Sequence, residues 1–152
     1  MVSKSETGYI RNLEIYTGEG KKLQETILSV LQPYLGSWHH IYQDNYYNGV
    51  STSEILLKNK TRVCGNIREN HRLPNQLKEK SEKLCGGVGG MTFLWKGKVI
   101  LLIWKDKRLV RMVTTIHDAS TESTGKEDRR TGHQTTKPTY VLEYNKYMKG
   151  VD

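Results

Sequence analysis

Few side chains in this chain of 152 residues stand where they could do chemistry, and Asp44 is foremost among them. It closes the run "HHIYQD" and opens "NYYNGV". A carboxylate at the end of a strand can hold a hard, oxygen-seeking divalent ion. An Asp-Asn pair is equally a turn signal, because Asx side chains hydrogen-bond their own backbone a residue or two on. The residues alone leave both readings open. His39 and His40 precede the run and read as packing or surface residues rather than ligands, and His117 with Asp118 reads as a surface turn. Cys64 and Cys85 have no further thiols at zinc-like spacing, so neither a disulfide framework nor a structural zinc site is expected. The glycines of "CGGVGG" lack the following helix start and Lys-Ser/Thr pair of a phosphate loop.

A second kind of chemistry lies in the charge. The formal net charge is +8, and it is regional: from Lys58 to Arg111 there are 14 Lys and Arg against 4 Asp and Glu, a local +10 that leaves −2 for the rest. Such a stretch suits a polyanion, since each cation that neutralises a phosphate releases condensed counterions. A solvated cationic face with no partner is the plainer alternative. The candidate DNA-facing residues are Arg62, Arg68, Arg72, Lys96, Lys98, Lys105, Lys107 and Arg108. Trp95 and Trp104 stand among them, either to stack on bases or to fill a core.

These residues need elements to hold them. Residues 8–16 alternate roughly between apolar and polar and predict a half-buried strand ended by Gly18 and Gly20. Apolar positions at helical spacing predict a helix over 21–35, which Pro33 ends or kinks and Gly36 stops. "HHIYQ" is expected as a short strand, "STSEILLKNK" as a helix capped by Ser51 or Thr52 with Ile55 and Leu56 inward, and "TRVCGNI" as another strand. That alternation predicts helices packed on a mixed or parallel sheet. "LPNQLKEKSEKL" reads as a basic helix or loop, and "MTFLW", "KVILLIW" and "LVRMVTTI" as an antiparallel meander. The segment 119–138, nearly devoid of apolar residues, is expected to be a mobile loop. "TYVLEYNKYMKGVD" supports a short helix before Gly150.

The longest apolar run, 99–104, is too short to span a bilayer, and "MVSKSETGYI" lacks the apolar centre of a signal peptide. No membrane partner is expected, and a soluble chain in the cytoplasm or nucleus is. An apolar fraction of 36% is low for a domain of this length and points to a large solvated periphery or a piece of something larger.

Four blocks, "TGYIRNLEIYTGEG", "HHIYQDNYYNG", "VILLIWKDKRLVRMVTTIHD" and "YNKYMKGVD", in this order and spacing resemble the catalytic region of piggyBac-type transposases and proteins derived from them. The resemblance covers nearly the whole chain. It implies a ribonuclease-H-like α/β fold, a mixed sheet with flanking helices, whose three aspartates bind two magnesium ions, with a module inserted between the second and third. Asp44 falls on the second aspartate and Asp152 on the third, so these are the expected catalytic and metal residues. Lys4, in "KSETGY", occupies the first-aspartate position. Carried onto this chain, the resemblance divides it into a partial core over 1–70 with its first strand missing, an inserted basic β module and mobile loop over 71–136, and a return to the core over 137–152.

Family members cut element ends and reinsert at a TTAA target in the nucleus, and a homodimer is expected of the full-length family. Two magnesium ions need carboxylates converging from different elements. A lysine there removes a ligand and adds a charge that, at ~4 Å and an effective dielectric near 20, repels a unit charge by about 4 kcal/mol and a divalent ion by roughly twice that. The expected function is therefore a truncated, transposase-derived protein that binds no magnesium productively and is catalytically inactive. A retained DNA-binding module and an active transposase seen through an incomplete gene model are the alternatives.

Overall fold

The computed structural model describes residues 1–18, 20–69, 73–84 and 89–148. In chain order they form β1 Val2–Ser3, β2 Ile10–Asn12, α1 Leu23–Leu31 continuing as a 3-10 turn Gln32–Tyr34, β3 His40–Gln43, α2 Val50–Lys58 and β4 Arg62–Asn66. There follow α3 Asn75–Lys83, β5 Met91–Lys96, β6 Val99–Lys105, β7 Leu109–Thr114, β8 Thr121–Glu127, β9 Gln134–Pro138 and α4 Thr139–Tyr147.

Five strands make one sheet in the order β3-β4-β7-β6-β5. β3 and β4 run parallel, with α2 as their crossover, and every other pair is antiparallel. The continuous apolar run of β6 explains the layering. A strand buried on both faces reads as an unbroken apolar stretch. Ile100, Leu102 and Trp104 pack with Cys64, Met112, Tyr140 and Val141 under α4. Val99, Leu101 and Ile103 pack with Val113, Leu73 and Leu77 on the opposite face, under α3. On that face α1 and α2 bring Ile27, Leu31 and Leu56 against Val63. Each such side chain taken fully from water contributes roughly 1.5–3 kcal/mol, which holds three layers together around the sheet.

The helix expected over 21–35 is present as α1, with Pro33 in the tightened final turn and Gly36 at a left-handed φ of 86° where the chain leaves it. Three expectations are corrected. The strand over 8–16 shrinks to Ile10–Asn12, and Tyr9, Ile10, Leu13, Ile15 and Tyr16 stay exposed, because it pairs only with two-residue β1 and not with the main sheet. Gly49 rather than Ser51 or Thr52 stands at the N-cap of α2, and Leu56 is buried while Ile55 is only partly so. Residues 119–138 are not a structureless loop: β8 and β9 pair as an antiparallel hairpin across a turn in which Asp128 N–H donates to the His133 carbonyl. Nearly all of its side chains are exposed, so no apolar alternation betrayed it.

The meander strands β5, β6 and β7 lie in the same sheet as β3 and β4. β7 pairs with β4 through Cys64, Gly65 and Asn66, so the segments 1–70 and 71–136 share a sheet and a core. Gly89 and Gly90 extend the β5–β6 ladder by exchanging backbone bonds with Lys105 at 2.7 and 2.8 Å, and the rest of "CGGVGG" lies outside the described residues.

Candidate functional site

Asp44 emerges at the C-terminal end of β3, where a parallel sheet releases its strands into loops. Its Oδ1 accepts the backbone N–H of Tyr46 at 3.0 Å and of Tyr47 at 3.4 Å, which is the Asx turn that one of its two readings required. The loop is pinned at both ends. Gln43 Nε2 donates to Asn48 Oδ1 at 2.9 Å, and both residues are buried, Asn48 to 1% exposure. Beneath them lies Gly65 of β4, where an added Cβ would sit 2.1 Å from the Gln43 carbonyl oxygen. From beyond β4, Arg68 Nε donates to Asn45 Oδ1 at 3.2 Å and lays its guanidinium 5.3 Å from the Tyr46 ring centre. Tyr46 and Tyr47 meet edge to face and remain exposed.

α4 approaches the same end. Burial, and then the Asp44 charge, raise the hydroxyl of half-buried Tyr144 above its ordinary range. Lys4 follows β1 and holds Glu6 at 3.0 Å, and among the described residues no hydrogen bond or ion pair links it to Asp44. Asp152 and Arg72 lie outside the described residues.

Among the described residues no three His, Cys, Asp or Glu side chains converge to hold an ion, and the one carboxylate in place has an oxygen committed to its own turn. The described donors do not fit a two-metal centre.

The basic residues divide between the two ends of the sheet. Lys96 and Lys98 flank the β5–β6 turn, at the end where Arg62 starts β4, and Lys96 is tied to Glu54 at 3.0 Å. Lys105, Lys107 and Arg108 surround the β6–β7 turn, at the end where Asp44 and Arg68 follow β3 and β4. Only this second group shares an edge with Asp44. The β6–β7 turn stands two to three strand spacings across the sheet from Asp44 and about three residues further along the strands, on the order of 15–20 Å in all. Arg111 on β7 is mostly buried and holds exposed Glu69 at 2.8 Å. The two tryptophans part company: Trp104 is core, with Lys137 Nζ 5.8 Å from its ring centre, and Trp95 is exposed.

The remaining titratable groups are structural. Burial pushes the Cys64 thiol up to about 12, so it is inert at neutral pH. His117, half buried, is held below the ordinary histidine value chiefly by burial, and His40, though its surface is exposed, is lowered in the same direction by partial loss of hydration and by Arg62. Asp118 Oδ1 accepts the Ser120 N–H at 3.2 Å, a surface turn. Sequence reasoning missed Arg68 as a loop clamp, the Gln43–Asn48 pin and Tyr144. Only Gly65 carried a signal, since a glycine inside a strand marks a close backbone approach.

A family model described as Transposase IS4 matches residues 1–152. A solved structure described as a cryo-EM structure of the piggyBac transposase synaptic complex with hairpin DNA is similar over 90% of this chain, at 26% sequence identity and a TM-score of 0.69. The chain spans 28% of the length of that transposase chain.

Proposed function

The chain belongs to the Transposase IS4 family and is of the piggyBac type, and from that premise we propose that it binds DNA without cutting it. The observation that carries the reading is Lys4. It stands where the resembling family has its first metal-binding aspartate, and it is ion-paired with Glu6. A cation at that position opposes a divalent ion instead of ligating it. Asp44 retains a carboxylate but spends Oδ1 on the turn.

The edge around Asp44 supports the DNA side of the proposal. Arg68, Lys105, Lys107 and Arg108 line one end of a rigid sheet, and none of them forms an ion pair with a described residue. Cations that no carboxylate neutralises are what a phosphate backbone needs. In this reading the ligand is duplex DNA, with element ends and TTAA targets as the sequences to try. The compartment is the nucleus, and a homodimer belongs to the longer family chains.

The test is fluorescence anisotropy of a labelled duplex against salt. Four phosphate contacts predict a loss of affinity on the order of 100-fold between 50 and 200 mM salt. Replacing Lys107 and Arg108 together by Gln should cut that loss to about tenfold. Affinity that is flat in salt would rule out this mode of binding.

A further inference from the structure

At the end of the sheet opposite Asp44, Trp38 closes the turn over 35–38. Its φ is 59°, in the left-handed region that a bulky residue rarely adopts, and half of its surface (50%) is open to solvent. A glycine or asparagine would make the same turn with less strain. The indole therefore contributes something other than backbone shape.

Its neighbours indicate what. Residues 36–39 are zipped to residues 59–62 by backbone bonds: Gly36 N–H to the Asn59 carbonyl at 2.8 Å, Trp38 N–H to the Lys60 carbonyl at 2.7 Å and Arg62 N–H to the His39 carbonyl at 2.9 Å. Lys60 is itself left-handed at φ 50°. The Arg62 guanidinium lies 5.5 Å from the Trp38 ring centre. Lys58, in the last turn of α2, Lys60 and Arg62 are all exposed, and none forms an ion pair with a described residue.

We infer that Trp38, backed by Arg62, is a stacking platform for an unpaired nucleobase, with Lys58 and Lys60 taking the adjacent phosphates of a single strand. An exposed indole already stacked on a guanidinium offers its remaining surface to a second flat, electron-poor ring, and stacking of this kind tolerates any base. Unpaired cations within a few residues supply the polyanion half of the site. The inference rests on the reading that nucleic acid is this protein's ligand, but it concerns a different end of the sheet and a different form of that ligand.

The test compares the intact chain with Trp38→Gly, which suits the left-handed backbone, and Trp38→Tyr, which keeps a ring. Each is titrated with a labelled oligothymidylate of about eight nucleotides and, separately, with a blunt duplex. Trp38→Gly should weaken single-strand binding about 5- to 100-fold, Trp38→Tyr should restore most of it, and duplex affinity should stay within twofold. Circular dichroism of Trp38→Gly should show an unchanged fold. Arg62→Gln provides a second variant, with a loss in the same direction, if the glycine variant misfolds. Single-strand affinity indifferent to Trp38, or an equal loss on the duplex, would overturn the platform. Absent duplex binding alongside a Trp38-dependent single-strand loss would sink the Asp44-edge reading and leave the platform standing.

Discussion

Asp44 Oδ1 takes two backbone donors of the turn it opens, so its replacement should be felt first as a loss of turn geometry. Asp44→Ala should lower stability by about 1 kcal/mol, the range found when a side-chain cap is removed. Asp44→Asn keeps a carbonyl oxygen at the same place and should cost only a few tenths. Urea unfolding midpoints of the two variants check this. An equal loss in both would show that the negative charge matters and not the acceptor. Gly65 is the second sensitive residue. An alanine methyl there would meet the Gln43 carbonyl oxygen at 2.1 Å, so strand β3 must move or the pairing break. Overpacking of this kind costs about 1–3 kcal/mol. Gly65→Ala should therefore unfold at a lower urea concentration than the parent and disturb the Asp44 loop that the strand carries.

At the scale of elements, the start of β3 and the end of the meander bring two histidines near α4. His40 and His117 lie within electrostatic reach of each other and of Glu143, with Arg62 near His40, and Asp118 and Glu122 near His117. Tyr42, which donates to Glu143 at 3.4 Å, is itself pushed up by burial. Both histidines have folded values depressed below the ordinary 6.5. The unfolded chain then binds more protons, so stability is fully present above that value and is lost as pH falls through the depressed folded values. Urea midpoints should thus drop between pH 7.5 and 5, and His117→Gln should flatten the drop. A midpoint that rises on acidification would contradict the assignment.

Element by element, legibility followed burial. β6 was readable because "VILLIW" is buried on both faces, and α1 because its apolar stripe meets Val63. The β8–β9 hairpin was not readable, because polar strands exposed on both sides leave no period to detect. The residues 9–16 misled for the reverse reason: they carry a strand-like alternation, yet no sheet covers most of them.

At the scale of the molecule, one sheet presents two differently equipped ends. The end with Asp44 carries Arg68 and the β6–β7 cations, and the other carries Trp38, Arg62 and the β5–β6 lysines. The local charge of +10 was legible in the order of residues, but its division was not, because the strand turns that send Lys98 and Lys105 to opposite ends depend on pairing across the sheet. Lys4 was legible only against the family pattern, and its ion pair with Glu6 adds a local partner that the pattern does not contain. The most direct measurement of the central claim is a nicking assay with supercoiled plasmid carrying TTAA sites, run with magnesium and then manganese under salt conditions where the protein is bound. The proposal that the chain binds DNA without cutting it predicts a retarded but intact supercoiled band, identical for the parent and Asp44→Ala. Nicked circles formed by the parent and lost in Asp44→Ala would contradict it.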